Sequence, residues 1–415
     1  MRALISGASI AGPVLAYWLA RYGFTVTVVE RAPALRKAGG HAVDLFQPAM
    51  AISERMGVAH TIDARSTGTR RLVMFWPGAK RPVSVDLTKV TQAASDRHVE
   101  IMRDDLSEIY YDASRNDVEY VFGDSITAIS DGGQVSFEGM PSRRFDVVIG
   151  ADGLHSTVRR LVFGEEHRFT RFLGAYVAVV SVPRTLSRAG EFRGHLDVDR
   201  LAGVYTTRHL DDARALFMFR HEQALEYHYR DVARQQQLLR KAFQGMHPEV
   251  DRWLAELDRT PAFYFDSITQ LRMDSWSRGR VALVGDAGYC PGPAVGGSTS
   301  LAVVGAYVLA GELASARGDY ERAFAAYERK MAENVRRCRS FAVRSARKLL
   351  PRSRPGIWAA VHATRLITAL PPRWGRLLLN ASAGVRTLDT MAVANYPAAE
   401  AQPEPATPAR HQESP

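Results

Sequence analysis

Two glycines and an acid near the N-terminus carry the clearest chemical signal in this sequence. Gly7 and Gly12 bracket a short turn, and Glu30 follows eighteen positions after Gly12. Backbone N–H groups in such a turn, with the positive end of the next helix dipole, bind a pyrophosphate, and an acid closing the second strand accepts hydrogen bonds from a ribose. The pattern predicts a dinucleotide site at Gly7, Ser9, Ile10, Ala11, Gly12, Glu30 and Arg31, with NAD, NADP and FAD all still open.

The elements around this turn have the order strand, turn, helix, strand. Residues 2–5 form an apolar run, residues 11–22 are rich in Ala and Leu, and residues 24–29 read as a second strand. Ser9 stands where another glycine is usual, but its hydroxyl is small and can donate a hydrogen bond to a phosphate. A secretory signal is the alternative explanation of the apolar stretch. The strand-like run that follows does not resemble a cleavage site, so we expect a cytoplasmic protein that is not exported.

Composition favours a large soluble enzyme. The chain has 415 residues, 46% of them hydrophobic, which is enough for two or more structural units. Its two cysteines, Cys290 and Cys338, lie far apart and fit a reducing compartment. We expect no apolar run long enough to span a bilayer. The net charge of +10 comes mostly from arginine in an Arg- and Ala-rich chain, so we expect no nucleic-acid partner.

Two later motifs specify the dinucleotide. Asp152 follows a buried-type strand at 145–150 and opens a helix, and Asp286 follows a strand at 280–284 before an apolar helix at 300–313. Both acids stand beside glycine at the carboxyl end of a strand, where open sheets bind ligands. A nicotinamide dehydrogenase has no need of the acid near residue 286. A cofactor with a ribityl chain and an isoalloxazine ring does.

With these three motifs in this order, the chain resembles the FAD-dependent aromatic hydroxylases, single-component flavoprotein monooxygenases with the p-hydroxybenzoate hydroxylase fold. The resemblance covers roughly the first 335 residues. It implies that Glu30 binds the adenosine ribose, that Asp286 binds the ribityl chain, and that Asp152 serves FAD and NAD(P)H. It also implies cofactor contacts at Arg103, Gly296, Gly297, Ser298 and Thr299.

The resemblance implies an α/β fold in which a Rossmann-like FAD-binding domain is interleaved with a β-sheet-rich substrate domain, followed by C-terminal helices. A hairpin at 71–86 and a strand-rich stretch with two helices at 175–270 support this arrangement. We predict the FAD-binding domain at 1–70, 98–174 and 271–335, the substrate domain at 71–97 and 175–270, a helical region at 336–396 and a disordered tail at 397–415.

The chain departs from the family pattern at four positions. Tyr289 stands where the family often has His, Ser298 replaces a glycine, Ser300 replaces an Asn, and Gly305 replaces an Asp. Gly296 and Gly297 still allow the backbone to approach a flavin closely. We therefore expect FAD binding to persist.

The implied activity is hydroxylation of an aromatic or polycyclic small molecule through a flavin hydroperoxide, as in secondary metabolism. NADPH or NADH is expected as a transient co-substrate with O2, and backbone N–H groups at 297–300 are expected to stabilise the anionic reduced flavin. Neither a catalytic base nor a metal site is predicted. Epoxidation, Baeyer–Villiger oxidation, dehydrogenation and a non-catalytic FAD-binding role remain open.

Candidate substrate contacts are aromatic or lie next to the flavin motif: Tyr176, Phe192, Tyr205, Phe217, Phe219, Tyr289 and Pro293. Ordinary core packing is the alternative for each. His195, His209 and His221 are candidate bases for a phenol, with core or loop positions as the alternative. Cys290 lies close enough to the flavin motif to suggest covalent attachment, against a plain buried thiol.

The C-terminal region has a basic stretch at 329–354 and an apolar helical face at 355–370. Two interpretations follow: a helix that closes the molecule across both domains, or a helix that lies on a membrane surface behind a polybasic segment. The first is preferred because related proteins often end in such a helix. The sequence carries no signal for the oligomeric state.

Overall fold

The computed structural model describes residues 1–35, 40–228, 230–293, 297–369 and 388–396. Its strands are β1 (Arg2–Ser6), β2 (Thr25–Glu30), β3 (Ala42–Phe46), β4 (Arg71–Phe75), β5 (Val83–Asp86), β6 (His98–Met102), β7 (Glu119–Phe122), β8 (Ile126–Ile129), β9 (Gln134–Phe137), β10 (Arg143–Arg144), β11 (Val147–Gly150), β12 (Thr170–Pro183), β13 (Glu191–Asp197), β14 (Arg200–Tyr205), β15 (Asp212–Arg220), β16 (Phe263–Leu271), β17 (Ser277–Arg278) and β18 (Val281–Leu283). Its helices are α1 (Ala11–Arg21), α2 (Gln47–Arg55), α3 (Ala59–Ala64), α4 (Leu87–Ala94), α5 (Arg103–Ser114), α6 (Thr157–Val162), α7 (Val232–Phe243), α8 (Pro248–Ala255), α9 (Asp286–Tyr289), α10 (Ser298–Ser315), α11 (Tyr320–Leu349) and α12 (Arg354–Ala369).

A six-stranded sheet, in the order β17-β18-β11-β1-β2-β7, brings the three sequence motifs together. Its strands run parallel except β17. Ser6 at the end of β1 pairs with Gly150 of β11, which pairs in turn with Leu283 of β18. Because the strands are parallel and in register, the turns that follow them leave the sheet at the same edge. The Rossmann-like α/β fold predicted from the sequence is confirmed.

A seven-stranded sheet, in the order β16-β12-β15-β14-β13-β4-β5, forms the second layer. It is antiparallel apart from the parallel pair β13–β4, which joins the predicted hairpin to the strand-rich region. One face packs on α7 and α8 around residues such as Phe217, Leu239 and Trp253. The other face packs on the ends of α11 and α12, with Met218, Leu350 and Ile357 in one cluster.

Helix α10 lies in the core of the molecule rather than at its surface. It is 18 residues long and apolar enough to cross a membrane by length and composition, so the expectation of no such run was wrong. It packs against α1, α2 and α11, and 83% of it is buried. A helix that is apolar on all sides is stable in water only when neighbours cover every side.

A two-stranded ribbon of β3 and β6 connects the two layers, and the sequence analysis missed it. Both strands are only five residues long. Each also has an acid inside its alternating pattern, Asp44 in β3 and Glu100 in β6. Acids are rare inside strands, so the pattern did not indicate strands.

The C-terminal helix α12 buries one side and exposes the other. Ile357 and Val361 pack into the cluster beside the seven-stranded sheet, whereas Trp358 and Leu366 are each 59% exposed. The predicted tail at 397–415 and residues 370–387 lie outside the described residues. The described part of α12 therefore contacts the substrate-side sheet, and membrane contact stays untested.

Two of the departures from the family pattern are physically linked. Tyr289 is fully buried, and its hydroxyl accepts a hydrogen bond from the Tyr327 hydroxyl at 3.0 Å. A Cβ atom added at Gly305 would lie 1.9 Å from the Tyr289 hydroxyl oxygen. Tyr289 thus fills the space that a side chain at position 305 would need. This corrects its assignment as a substrate contact, because the side chain belongs to the core.

The substitution Gly305→Ala is expected to lower the free energy of unfolding by about 1–3 kcal/mol, because a buried methyl group meets the fixed Tyr289 hydroxyl. Denaturant unfolding of the purified protein measures it. In a double-mutant cycle, Tyr289→Phe removes the clashing oxygen and should recover part of the loss in the Gly305→Ala background. Strictly additive effects of the two substitutions would contradict this packing argument.

Candidate functional site

The N-terminal turn leaves a helix start open to an anion. Helix α1 begins without a side-chain cap and has no acid in its first turn. Gly7 has a φ of +107°, and a Cβ atom there would lie 2.6 Å from the carbonyl oxygen of Ala151. A Cβ atom at Gly12 would lie 1.9 Å from the carbonyl oxygen of Gly7. Both glycines are therefore required by close backbone packing, and the uncapped N–H groups fit a pyrophosphate.

Glu30 holds this turn in place. Its carboxylate accepts hydrogen bonds from the backbone N–H groups of Ala8 and Ala32, each at 2.9 Å. A carboxylate has about four lone-pair positions, so acceptor capacity remains for ribose hydroxyls. Arg31, the next residue, is exposed. Glu30, the acid predicted from the spacing, therefore lies beside the turn and also stabilises the turn by hydrogen bonds.

Arg103 brings a positive charge to the turn. It is the first residue of α5, and its guanidinium donates a hydrogen bond to the Ser9 hydroxyl at 3.1 Å. The described ion pairs include none for Arg103. Ser107, one turn further along α5, donates to the Ser9 carbonyl at 2.9 Å. The Arg103 guanidinium, held beside the turn by α5, is therefore suited to bind a phosphate.

Asp286 is the first residue of α9, at the same edge of the six-stranded sheet as the N-terminal turn, and it is half-buried. Burial raises the pKa of its carboxyl, while a hydrogen bond from Cys290 and the charge of Arg103 lower it. Burial and the neighbouring Asp286 charge raise the pKa of the Cys290 thiol well above its usual value. Cys290 is therefore a neutral thiol and a poor nucleophile, which argues against covalent flavin attachment.

Asp152 lies beside the turn, but its carboxylate is engaged by the protein. It accepts hydrogen bonds from the Ser156 hydroxyl, from the Val158 N–H at 3.1 Å and from the Ser6 hydroxyl at 3.4 Å. Buried Arg159 pairs with Glu166 at 2.7 Å. This motif fixes the end of β1 against α6. A direct contact of Asp152 with FAD stays a prediction.

The start of α10 provides a second open helix end. Gly297 precedes it with a φ of +87°, and the helix has no side-chain cap and no acid in its first turn. Ser298 and Thr299 line the adjacent cavity. Ser300 accepts a hydrogen bond from the Phe46 N–H at 2.9 Å, which ties the helix start to β3. Gly296 lies outside the described residues.

An apolar cavity of about 490 Å³ meets this helix start. Phe192 and Tyr205 line it as predicted, and the Tyr205 hydroxyl accepts a hydrogen bond from the Ala42 N–H at 2.9 Å. The remaining lining residues come mainly from the seven-stranded sheet, the β3–β6 ribbon, the start of α10 and the C-terminal helices: His41, Ala42, Val43, Asp44, Thr69, Leu72, Met74, Val83, Val85, Leu87, Glu100, Leu196, Leu201, Leu216, Met218, Gly297, Ser298, Thr299, Leu349, Pro351, Ala360 and Val361.

Several predicted substrate contacts do not reach the cavity. Tyr176, Phe217 and Phe219 pack against α7 and α8 on the opposite face of the sheet. Because side chains alternate along a strand, Leu216 and Met218 of β15 face the cavity instead. Pro293 is described but is not among the lining residues. For Phe217 and Phe219, aromatic content identified a strand of the cavity wall, β15, but the wrong face of that strand.

The three histidines considered as candidate bases also lie outside the cavity lining. His209 and His221 each contact a backbone carbonyl at exposed positions. His195 is buried under α8, 2.7 Å from Glu249. The cavity histidine is His41, whose pKa is lowered to about 4 by burial and by the charge of Arg103. It is neutral at pH 7.

His195, His247 and Glu249 form a group whose potential ligand atoms lie within 4.8 Å of one another. Arg193 donates to both carboxylate oxygens of Glu249 at 2.9–3.1 Å. His247 accepts a hydrogen bond from the Glu249 N–H at 3.1 Å and so caps α8. These hydrogen bonds explain why the three side chains lie close together without a metal ion. We therefore assign no metal ion to this group.

Sequence reasoning missed the polar residues of the cavity, His41, Asp44 and Glu100. The available signal was the placement of the two acids inside otherwise apolar five-residue runs at 42–46 and 98–102. A charged side chain inside such a run faces either solvent or a cavity. Only the pairing of the two strands shows that both acids lie on the cavity wall.

Comparisons with known proteins agree with this geometry. A family model described as FAD binding domain matches residues 1–341. An uncharacterised protein of Mycobacterium tuberculosis (strain ATCC 25618 / H37Rv) is 43% identical over 333 residues, which is 78% of this chain and 88% of that protein. A flavin-dependent monooxygenase of Legionella longbeachae is 36% identical over 351 residues, 83% of this chain and 88% of that protein. The solved structure of tetracycline destructase Tet(51) matches with a TM-score of 0.80 at 32% identity and covers 95% of this chain and 99% of that one.

The substitution Asp286→Asn is expected to weaken FAD binding by about 10- to 100-fold, because a hydrogen bond to a charged group contributes about 1.5–3 kcal/mol. Flavin fluorescence during titration of the apoprotein measures the dissociation constant. Asp274→Asn, at an exposed position, is the matched control and should leave binding unchanged. Equal affinity in both variants would remove Asp286 from the cofactor site.

Proposed function

The chain belongs to the FAD-dependent aromatic hydroxylase family of flavoprotein monooxygenases, and from this premise we propose that it uses NADH or NADPH and O2 to hydroxylate an aromatic or polycyclic small molecule. The observation that carries the proposal is the apolar cavity of about 490 Å³ that begins at the uncapped start of α10. Ligand sites for small molecules have this size and this mostly apolar lining.

The open helix ends, Glu30, Arg103 and Asp286 fit FAD, and they divide its binding between them. The start of α1 and Arg103 would hold the pyrophosphate, Glu30 the adenosine ribose, and Asp286 the ribityl chain. When bound there, FAD would supply the redox chemistry, with the nicotinamide as the source of electrons and O2 as the source of the oxygen atom that enters the substrate.

The protein's own contribution is charge stabilisation and exclusion of water. The uncapped start of α10 borders the cavity, and its N–H groups would stabilise negative charge there without rearranging. Leu72, Met74, Leu216 and Met218 provide an apolar wall that holds a ring and keeps water away from it. Neutral His41 on the same wall can accept or donate one hydrogen bond.

The size and lining of the cavity support the proposed substrate class. Its volume exceeds that of a single benzene ring, and Ala360 and Val361 of α12 form one side of it. The similarity to tetracycline destructase Tet(51) supports a polycyclic substrate. Hydroxylation is preferred to other uses of the same cofactor because the chain belongs to the aromatic hydroxylase family.

Purified protein loaded with FAD is expected to oxidise NADH or NADPH faster when a polycyclic phenol is added, and to form a hydroxylated product. Absorbance at the nicotinamide band follows the rate, and mass spectrometry with ¹⁸O₂ follows the oxygen. One labelled oxygen atom on a ring carbon is the expected product. A labelled epoxide or ester would indicate epoxidation or Baeyer–Villiger oxidation, and an unlabelled oxidised product would indicate dehydrogenation.

A substitution in the cavity tests whether this space holds the substrate. Leu216→Trp is expected to raise the substrate KM by about 10-fold or more while leaving FAD binding intact, because the larger side chain fills the cavity. Phe217→Leu, one residue along on the opposite face, is the control and should change stability more than KM. An unchanged KM in Leu216→Trp would place the substrate elsewhere.

A further inference from the structure

The imidazole of His41 lines the cavity without a hydrogen-bond partner. Neither ring nitrogen forms a hydrogen bond or an ion pair with any of the residues that the structure describes. Each nitrogen of a neutral imidazole can form one hydrogen bond, one as a donor and the other as an acceptor. A polar ring on this mostly apolar wall therefore offers two open hydrogen-bonding positions to a ligand.

The other ionisable side chains of the described cavity lining differ from His41 in this respect. Tyr205 bonds the backbone of β3, Asp44 pairs with a histidine of β6, and Glu100 accepts a hydrogen bond from a threonine hydroxyl. These three groups already have partners within the protein. His41 keeps both of its nitrogens for a bound molecule.

The backbone around His41 is held from the cofactor side and from the substrate side. On the cofactor side, the N–H of Arg103 in α5 donates to the His41 carbonyl at 3.0 Å. The N–H of Gly40 donates to the carboxylate of Asp104 in the same helix at 2.8 Å. On the substrate side, buried Arg214 of β15 donates to the Gly40 carbonyl at 3.3 Å. A backbone that is fixed from two sides holds the side chain it carries in a defined position.

A ring contact restricts the orientation of the imidazole. The centroid of the His41 ring lies 5.4 Å from that of half-buried Tyr264 in β16, with 33° between the ring planes. Ring pairs at this separation attract each other. The contact uses neither imidazole nitrogen as a hydrogen-bonding group. Backbone and ring are therefore both positioned before a ligand binds.

The charge state of His41 specifies the kind of group that it can bind. Burial, and then the positive charge of Arg103, lowers the pKa of the ring to about 4, although the charge of Asp44 raises it. The neutral ring at pH 7 has one acceptor nitrogen. Asp44 and Glu100 on the same wall disfavour an anionic group nearby. The surroundings thus favour an uncharged group that donates a hydrogen bond.

We propose that His41 is the specificity-determining residue of the cavity, because its ring nitrogen accepts a hydrogen bond from an uncharged hydroxyl group on the substrate ring. This inference rests on the proposed function for the identity of the cavity as the substrate site. A hydroxyl group can donate a hydrogen bond, whereas the corresponding methyl ether cannot. A site built to bind a hydroxyl group discriminates against the analogue that lacks the donor, because its acceptor is then left unpaired.

The first test compares two ligands with one ring system, 2-naphthol and 2-methoxynaphthalene. Isothermal titration calorimetry of the FAD-loaded protein at pH 7, without NADH or NADPH, measures each affinity in the absence of turnover. We expect 2-naphthol to bind about 10-fold more tightly, because only 2-naphthol can donate a hydrogen bond to His41. Equal affinities, or no binding of either ligand, would overturn the proposal.

Two substitutions test whether the preference comes from the ring nitrogens. His41→Phe keeps a planar ring beside Tyr264 but removes both nitrogens, so the affinity for 2-naphthol should fall by about 10-fold while that for the ether changes little. His41→Gln restores an acceptor and should recover part of the preference. His60→Gln, at an exposed position outside the cavity lining, is the control and should leave both affinities unchanged. A preference for 2-naphthol that survives His41→Phe would contradict the assignment.

A purely structural role of His41 would give a different result. If the ring only supports the cavity wall, His41→Phe changes both affinities by the same factor, and the ratio between them stays as in wild type. The FAD content and the thermal unfolding temperature of each variant, measured in parallel, show whether the cofactor site is intact. His41→Leu supplies the same comparison if the phenylalanine variant does not fold.

The binding results and the activity assay can fail separately. If the preference for 2-naphthol depends on His41 but neither ligand stimulates NADH or NADPH oxidation, the role of His41 is supported and the proposed hydroxylation is wrong. If 2-naphthol and its ether are hydroxylated with equal kcat/KM, the proposed function is supported and the role of His41 is wrong.

Discussion

Register in the parallel sheet is the constraint on which the rest of this structure depends. Ser6, Gly150 and Leu283 lie side by side at the ends of β1, β11 and β18, so three turns that are distant in sequence leave the sheet at one edge. The fully buried residues of β1, such as Leu4 and Ile5, favour that register, because a one-residue slip would exchange the side chains packed on the two covered faces of the sheet. A change in this register would separate the anion-binding turn from Asp286.

The same constraint links the cofactor edge to the cavity through α10. This helix follows β18 and α9, and its burial by α1, α2 and α11 fixes where its first turn lies. Ser300 hydrogen bonds the β3 backbone at Phe46, so the helix start and the β3–β6 ribbon are positioned together. The cavity is consequently bounded by the positive end of α10 on one side and by Asp44 and Glu100 on another. The apolar space therefore has opposite electrostatic character at these two parts of its wall.

Packing also explains departures from the family pattern that the sequence alone does not explain. Tyr289 and Gly305 form a complementary pair, since the phenol occupies the volume left by the missing side chain. Cys290 is held beside Asp286 as a neutral thiol. Substitutions of this kind change what fills the space behind the cofactor site while the backbone that forms the site stays as it is.

The sequence by itself determined which turns lie at the cofactor-binding edge of the six-stranded sheet. The spacing of Gly7, Gly12 and Glu30, and the acids after two further strands, rest on local geometry: a strand, a tight turn and a helix are each set by neighbouring residues. For that reason the Rossmann-like fold, the turn residues and the family resemblance could be predicted from the amino-acid sequence.

Only the tertiary structure decided which side chains face the cavity. Phe217 and Met218 are adjacent in sequence, yet one packs under α8 and the other lines the cavity, because orientation along a strand depends on which face its partners cover. Asp44 and Glu100 lie far apart in the chain and meet only through the pairing of β3 and β6. Local pattern cannot specify such a meeting, since it depends on long-range strand pairing that the chain acquires only when it folds.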